Sequence, residues 1–285
     1  MTMMMAYAAI YVIWGSTYLA IRIAVGDIPP LLLMGVRCTA AGLLLLAWSA
    51  ARRERATAAQ WRHAAVAGAL MIGVTYGALA WAEQRLTSGI AALLSATSPL
   101  WLTTMQWRHV RRPRAWTILG LLLGLGGVAL LVGAGIGGDV NLKAAAVLIV
   151  GTLTWAAGSL YARPPRLPRS ATLGAGMPLL VGGLLLLAVS IATREWARYD
   201  VGAVSRASLW ALAYLIVFGS VVAFSAYEWL LRVAPASRVA THAYVNPLVA
   251  VALGWGVGAE PITPATGAAA LVIAASVAMV VKGAH

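Results

Sequence analysis

Long apolar runs, interrupted at intervals by arginine, proline or short charged clusters, occupy almost the whole chain. At about 20 residues per membrane crossing, these runs predict ten helices, over 4–24, 30–50, 63–82, 87–107, 115–134, 143–162, 171–192, 207–230, 235–257 and 265–282. Little chain is left between them, so a separate soluble domain is not expected. The best-marked connection is Pro164-Pro165-Arg166-Leu167-Pro168, where successive prolines cannot continue a helix. The first run has no basic leader and passes through Trp14 to Ile23 without a cleavage signal. It reads as a retained first helix, not a signal peptide.

Composition agrees with an all-α integral membrane protein. Of 285 residues, 61% are hydrophobic and 10% charged, against about 25% charged in soluble domains. A net charge of +13 would suggest nucleic acid in a soluble chain, but here the basic residues sort by side. With the N-terminus in the cytoplasm, 14 of the 21 Lys and Arg fall in cytoplasmic segments, including Arg52, Arg53, Arg108, Arg111 and Arg112. Six fall on the other side, and Arg37 lies inside a span. The bias predicts both termini in the cytoplasm of a cell whose inner (plasma) membrane holds the chain, with the lipid bilayer and no nucleic acid as partner. The single Cys38 excludes an intramolecular disulfide and is expected to be a packing residue.

A repeat is visible within the pattern. Trp81, Ser98-Pro99-Leu100 and Trp107 recur as Trp229, Asn246-Pro247-Leu248 and Trp255, with a common offset of 148 residues. Slightly smaller offsets place Trp14 over Trp155 and Gly120 over Gly267. Five helices is an odd number, so the second unit must cross the membrane in the opposite sense. The expectation is one transmembrane domain made of an inverted 5+5 repeat, residues 1–134 and 135–285, the arrangement that suits alternating access.

These residues are similar to a known family. Trp14-Gly15-Ser16-Thr17 in the first helix, Arg37 in the second, the Ser98-Pro99-Leu100 and Asn246-Pro247-Leu248 sites and the glycine-rich fifth helix resemble EamA-type proteins of the drug/metabolite transporter superfamily. The resemblance runs the length of the chain, and within the superfamily it is greatest to aromatic amino-acid exporters of the YddG type. It implies export of small metabolites, amino acids or drugs across the inner membrane.

Pro99 and Pro247 mark expected helix breaks and gating points. Each removes an N–H and frees the carbonyl four residues earlier, at Ser95 and Ala243, and such a carbonyl must find a partner or a water-filled cavity. Ser98 and Asn246 lie beside the breaks. Trp14, Ser16, Tyr18, Trp155 and Ser159 form a matched pair on helices one and six. Together with Tyr76 and Tyr244 they are candidates for a pocket around a ring-bearing substrate, such as an aromatic or large apolar amino acid; plain packing accounts equally well for any single aromatic. His242 lies within a span and suits proton coupling, substrate contact or a structural hydrogen bond. Arg37 suits outward snorkelling, a pair with Glu83 or a freed carbonyl, or a grip on a substrate carboxylate, and a structural role is the expectation.

The eight carboxylates, Glu83 among them, fall in loops or near helix ends. None is expected at mid-membrane, so facilitated diffusion is the expected energetics, with a proton-coupled, broad-specificity drug exporter as the alternative. The chain lacks HExxH, GxSxG and a mid-membrane aspartate pair. No enzyme activity, catalytic residue, cofactor or metal site is therefore expected. Gly120/Gly124 and Gly254/Gly258 have the spacing for close helix packing, which leaves the oligomeric state open, a monomer included.

Overall fold

The computed structural model describes residues 2–106, 115–133, 141–162, 166–234, 239, 242–260 and 263–283. Among them every regular element is helical. We number these α1 (Met3–Ala24), α2 (Pro30–Ala51), α3 (Ala58–Glu83), α4 (Ser88–Ser95), α5 (Ser98–Gln106) and α6 (Ala115–Gly133). The rest are α7 (Leu142–Tyr161), α8 (Ala171–Ala192), α9 (Arg206–Leu230), α10 (His242–Gly256) and α11 (Pro264–Gly283). Six of them, α1, α2, α3, α7, α8 and α9, are long and apolar enough to cross a membrane, and shorter apolar helices run over Ser88–Leu102, Val245–Gly256 and Gly267–Ser276.

Two differences from the expected boundaries have physical causes. The third helix begins at Ala58, ahead of the polar Arg62 and His63, because Thr57 and Gln60 form a reciprocal capping box. The fourth is two helices, parted at Ala96–Thr97, with Pro99 in the first turn of the second piece, where a missing N–H costs no hydrogen bond. The expected start of the ninth at 235, together with Trp107, Pro164 and Pro165, lies outside the described residues.

Helix pairing follows the small residues. α2 packs along α8, α6 along α11, α3 against α7 and α1 against α9. In the α2–α8 pair the backbones nearly touch: a Cβ on Gly42 would stand 2.5 Å from the Leu180 nitrogen, and one on Gly183 2.5 Å from the Thr39 nitrogen. Lipid offers no hydrophobic drive for helix association, so such close backbone contact supplies the van der Waals attraction.

The same two helices cap each other. Glu195, just beyond α8, accepts from the Leu31 and Leu32 amides at the start of α2, each at 3.1 Å, and from Ser190. Glu54, just beyond α2, accepts from Ser170 and Thr172 at the start of α8. Arg53 and Arg194, the residues before these glutamates, both turn the chain through left-handed backbone, φ 58° and 56°. Ser49, Arg53 and Glu54 thus recur as Ser190, Arg194 and Glu195 at an offset of 141.

Three helices carry wide turns with i→i+5 hydrogen bonding, at Ala9–Ile13 in α1, Ala69–Val74 in α3 and Leu215–Val222 in α9. Such turns leave backbone groups out of the regular ladder and cluster at functional positions. The α3 and α9 turns overlap at the 148-residue offset read from the tryptophan and proline spacing.

Candidate functional site

The wide turn of α9 positions the first candidate side chain. Trp14, on α1, is buried and donates its indole N–H to the Gly219 carbonyl at 3.1 Å. Its ring lies 6.3 Å from Phe224, 5.0 Å from Tyr227 and 5.2 Å from His242. On the opposite side Trp155 of α7 stacks on Tyr76 of α3, centroids 6.1 Å apart and planes 6° from parallel. Phe224 joins the two groups, meeting Trp155 edge-on at 6.4 Å and 89°. The result is a continuous aromatic wall of offset and edge contacts, the geometries that ring quadrupoles favour.

Phe224 and Tyr227 are the residues the sequence reading missed. The signal was present: at the 148-residue offset Phe224 is the counterpart of Tyr76, and the chain has only two phenylalanines.

The polar candidates are distributed around this wall. Ser16 donates to the Ile13 carbonyl at 2.8 Å and meets the Tyr214 hydroxyl at 2.6 Å. Tyr18 is hydrogen-bonded to Ser95. Ser98 donates to the Ser95 carbonyl at 2.7 Å, so the carbonyl released by Pro99 is taken up by the chain itself and is not open to a substrate in this conformation. With its amide nitrogen turned towards them, Asn246 binds the carbonyls of Ile10, His242 and Tyr11 at 3.1–3.2 Å. Two of those carbonyls belong to the wide turn of α1, so Asn246 fastens α10 to it. Pro247 lies inside α10, which runs unbroken from His242 to Gly256, so the helix break expected there is not formed in this conformation, unlike the one at Pro99. The Ser159 hydroxyl and the His242 Nδ1 are buried without a hydrogen-bond partner. The Tyr244 side chain lies outside the described residues.

Arg37 neither snorkels nor contacts the Glu83 carboxylate. It is 2% exposed, donates from Nε to Ser220 at 2.9 Å, and lays its guanidinium 5.0 Å from the Tyr76 ring centre. Gly219 makes the room: a Cβ there would stand 3.1 Å from an Arg37 nitrogen. Glu83 departs furthest from expectation. Although it ends α3, it is wholly buried, and among the described residues neither carboxylate oxygen has a hydrogen-bond partner. The expectation of facilitated diffusion rests on carboxylates that fall in loops or near helix ends; Glu83 does lie at a helix end, and its burial is what that expectation left out.

One end of the bundle is latched twice. Asp27, after α1, accepts from Ser205 and Ser208 at the start of α9. Hydrogen bonds from Ser205 and then Ser208 hold its carboxyl below the usual range. Glu260, after α10, accepts from the Ser88 amide and hydroxyl, each at 2.9 Å, and from the Gly89 amide. A carboxylate at a helix start answers both the free N–H groups and the dipole. Gly254, one of the expected packing glycines, makes space for this contact, since a Cβ there would collide with the Glu260 carboxylate. We refer to this as the Asp27 end.

Comparison with known proteins bears directly on this arrangement. The EamA-like transporter family matches residues 1–133 and 142–282. The chain belongs to that family. It is 36% identical to the uncharacterised inner membrane transporter YedA of Escherichia coli strain K12, over 98% of this chain and 90% of that one. It is 24% identical to the uncharacterised transporter YvbV of Bacillus subtilis strain 168, over 96% and 89% respectively. A solved crystal structure superimposes with a TM-score of 0.67 at 18% identity, over 98% of this chain and 96% of the other, which shows a common fold. The protein is thus a helical membrane protein of a transporter family.

Proposed function

We propose that the chain is a secondary transporter exporting small amphipathic metabolites, first among them amino acids with aromatic or large apolar side chains. It works by alternating access between two inverted five-helix halves, residues 1–134 and 135–285. The observation that carries this reading is the aromatic wall. Trp14 and Trp155 are counterparts in the two halves, as are Tyr76 and Phe224, so both halves contribute to one surface, to which the second adds Tyr227 and His242. A planar side chain can stack there, while the Tyr18–Ser95 pair, the Ser159 hydroxyl and His242 offer hydrogen bonds to its polar end. Ser16, Ser98, Tyr244 and Asn246 complete the proposed site, Asn246 by fixing the α1 backbone. Pro99 and Pro247 are the proposed hinge points.

The inverted repeat draws support from the two blocks of the family match, the overlapping wide turns of α3 and α9, and the mutual capping of α2 and α8. In this reading the chain has ten spans in the cell inner membrane, both termini are cytoplasmic and the Asp27 end faces outward. Functionally it stands beside the aromatic amino-acid exporters of the YddG type.

A broad-specificity drug exporter is the second reading, favoured by the unpaired His242 Nδ1 beside a wall that accepts fused rings. Reconstituted vesicles separate the two. The first reading expects saturable counterflow of radiolabelled L-phenylalanine and L-tryptophan, competed by leucine and not by glutamate. Ethidium movement without amino-acid exchange would establish the second, and movement of neither would overturn both.

A further inference from the structure

Glu83 needs a ligand that the proposed site does not supply. The titratable and charged groups around it are Tyr18 and Arg22 from α1, Arg37 from α2, and Glu260 from the segment after α10. α4 has no titratable residue, and Lys143 of α7 stands exposed. Both arginines are engaged elsewhere. Arg22 donates to the Glu83 backbone carbonyl, and Arg37 is held by Ser220 and the Tyr76 ring. Glu260 is occupied by Ser88 and Gly89. An ionised carboxylate here would have neither water nor a hydrogen bond to offset its burial. A metal ion would need several oxygen ligands, and among the described residues no group of three or more His, Cys, Asp or Glu is assembled.

Location gives the carboxylate its role. Glu83 lies under the Asp27 end: it closes α3 five residues before Ser88, which is held by Glu260, one of the two latches. Opening that end would admit water to Glu83, and closing it would exclude water again. We propose that Glu83 is a proton-binding site of the transport cycle: closing the Asp27 end loads one proton from water onto the carboxylate, and opening that end returns it. The cycle rests on the alternating-access reading, whereas the site does not.

Infrared difference spectra of the reconstituted protein, recorded between neutral and alkaline buffer in H2O and D2O, test the site directly. Wild type is expected to show a protonated-carboxyl band that shifts in D2O and gives way to carboxylate in alkali. Glu83→Gln should lack the band, and Glu83→Asp should move it. Identical spectra in wild type and Glu83→Gln overturn the proposal. So does a band that responds to replacing choline with sodium at fixed pH, which would make Glu83 a cation site.

The link to the cycle is read by L-phenylalanine counterflow. Acid at the Asp27 end should slow exchange in wild type by favouring closure, whereas Glu83→Gln should run at the acid-limited rate at every pH. A wild-type pH profile in Glu83→Gln overturns the link. If wild type exchanges no L-phenylalanine, the proposed function fails while the infrared result still decides the site.

Discussion

At the scale of single residues, the side chains that matter work in matched pairs with unequal bonding. Trp14 fixes its indole on the Gly219 carbonyl within the wide turn of α9, whereas Trp155 stacks on Tyr76 and meets Phe224 edge-on. Trp155→Ala should therefore cut L-phenylalanine counterflow at least tenfold while surface expression and melting temperature stay near wild type, and unchanged counterflow would rule out the aromatic wall as the site. Trp14→Phe keeps the ring and loses the donor. The expected cost is about 1–3 kcal/mol for the buried Gly219 carbonyl left unpaired, visible as a lower melting temperature. Glu54 supplies a pH signature. Hydrogen bonding from Ser170, partly opposed by desolvation, holds its carboxyl below the usual range. The cap therefore contributes stability at neutral pH that is lost as pH falls through the acid range and the carboxylate is protonated. Ser170→Ala should lower the melting temperature at neutral pH and flatten its fall towards acid, and an unaltered acid limb would refute the assignment.

Whole elements show what the sequence made legible and what it hid. Span positions were readable because lipid demands long apolar runs, and the offset of 148 was readable because tryptophan and proline stand out against the aliphatic runs. The break of the fourth helix followed from Pro99, but its completeness did not, since that depends on Ser98 turning back to the Ser95 carbonyl. The offset of 141 was readable from Trp14 and Trp155, but its second instance, in the capping residues, was not. Ser49, Arg53 and Glu54 look like an ordinary basic loop until the start of α8 is seen beside them. Glu83 was misjudged for a similar reason: sequence gives its distance from the helix end, while its burial comes from α1, α2 and the segment after α10. Helix packing yields its own prediction. Gly183→Val places branched carbons against the Thr39 backbone, where no side-chain rotation relieves the clash. It should destabilise the protein by at least about 1–3 kcal/mol, the range for overpacking, whereas Gly126→Ala, with open space around it, should be neutral in the same thermal assay.

For the molecule as a whole, mutual capping makes each half a structural cofactor of the other. A chain cut within 134–140 should yield two fragments that assemble and melt together when co-expressed and are degraded when expressed singly; a stable lone fragment would contradict this. The α2–α8 contact carries a further consequence, for how the bundle can move. At each glycine the neighbouring main chain sits in a notch with no slack, and sliding by a single residue, about 1.5 Å along the axis, would drive Leu180 or Thr39 out of register with Gly42 or Gly183. Tilting about the notches keeps them seated. The helix pair is built as a pivot, not a rail; under the proposed alternating access, a substrate would change the side it faces without changing its depth in the membrane.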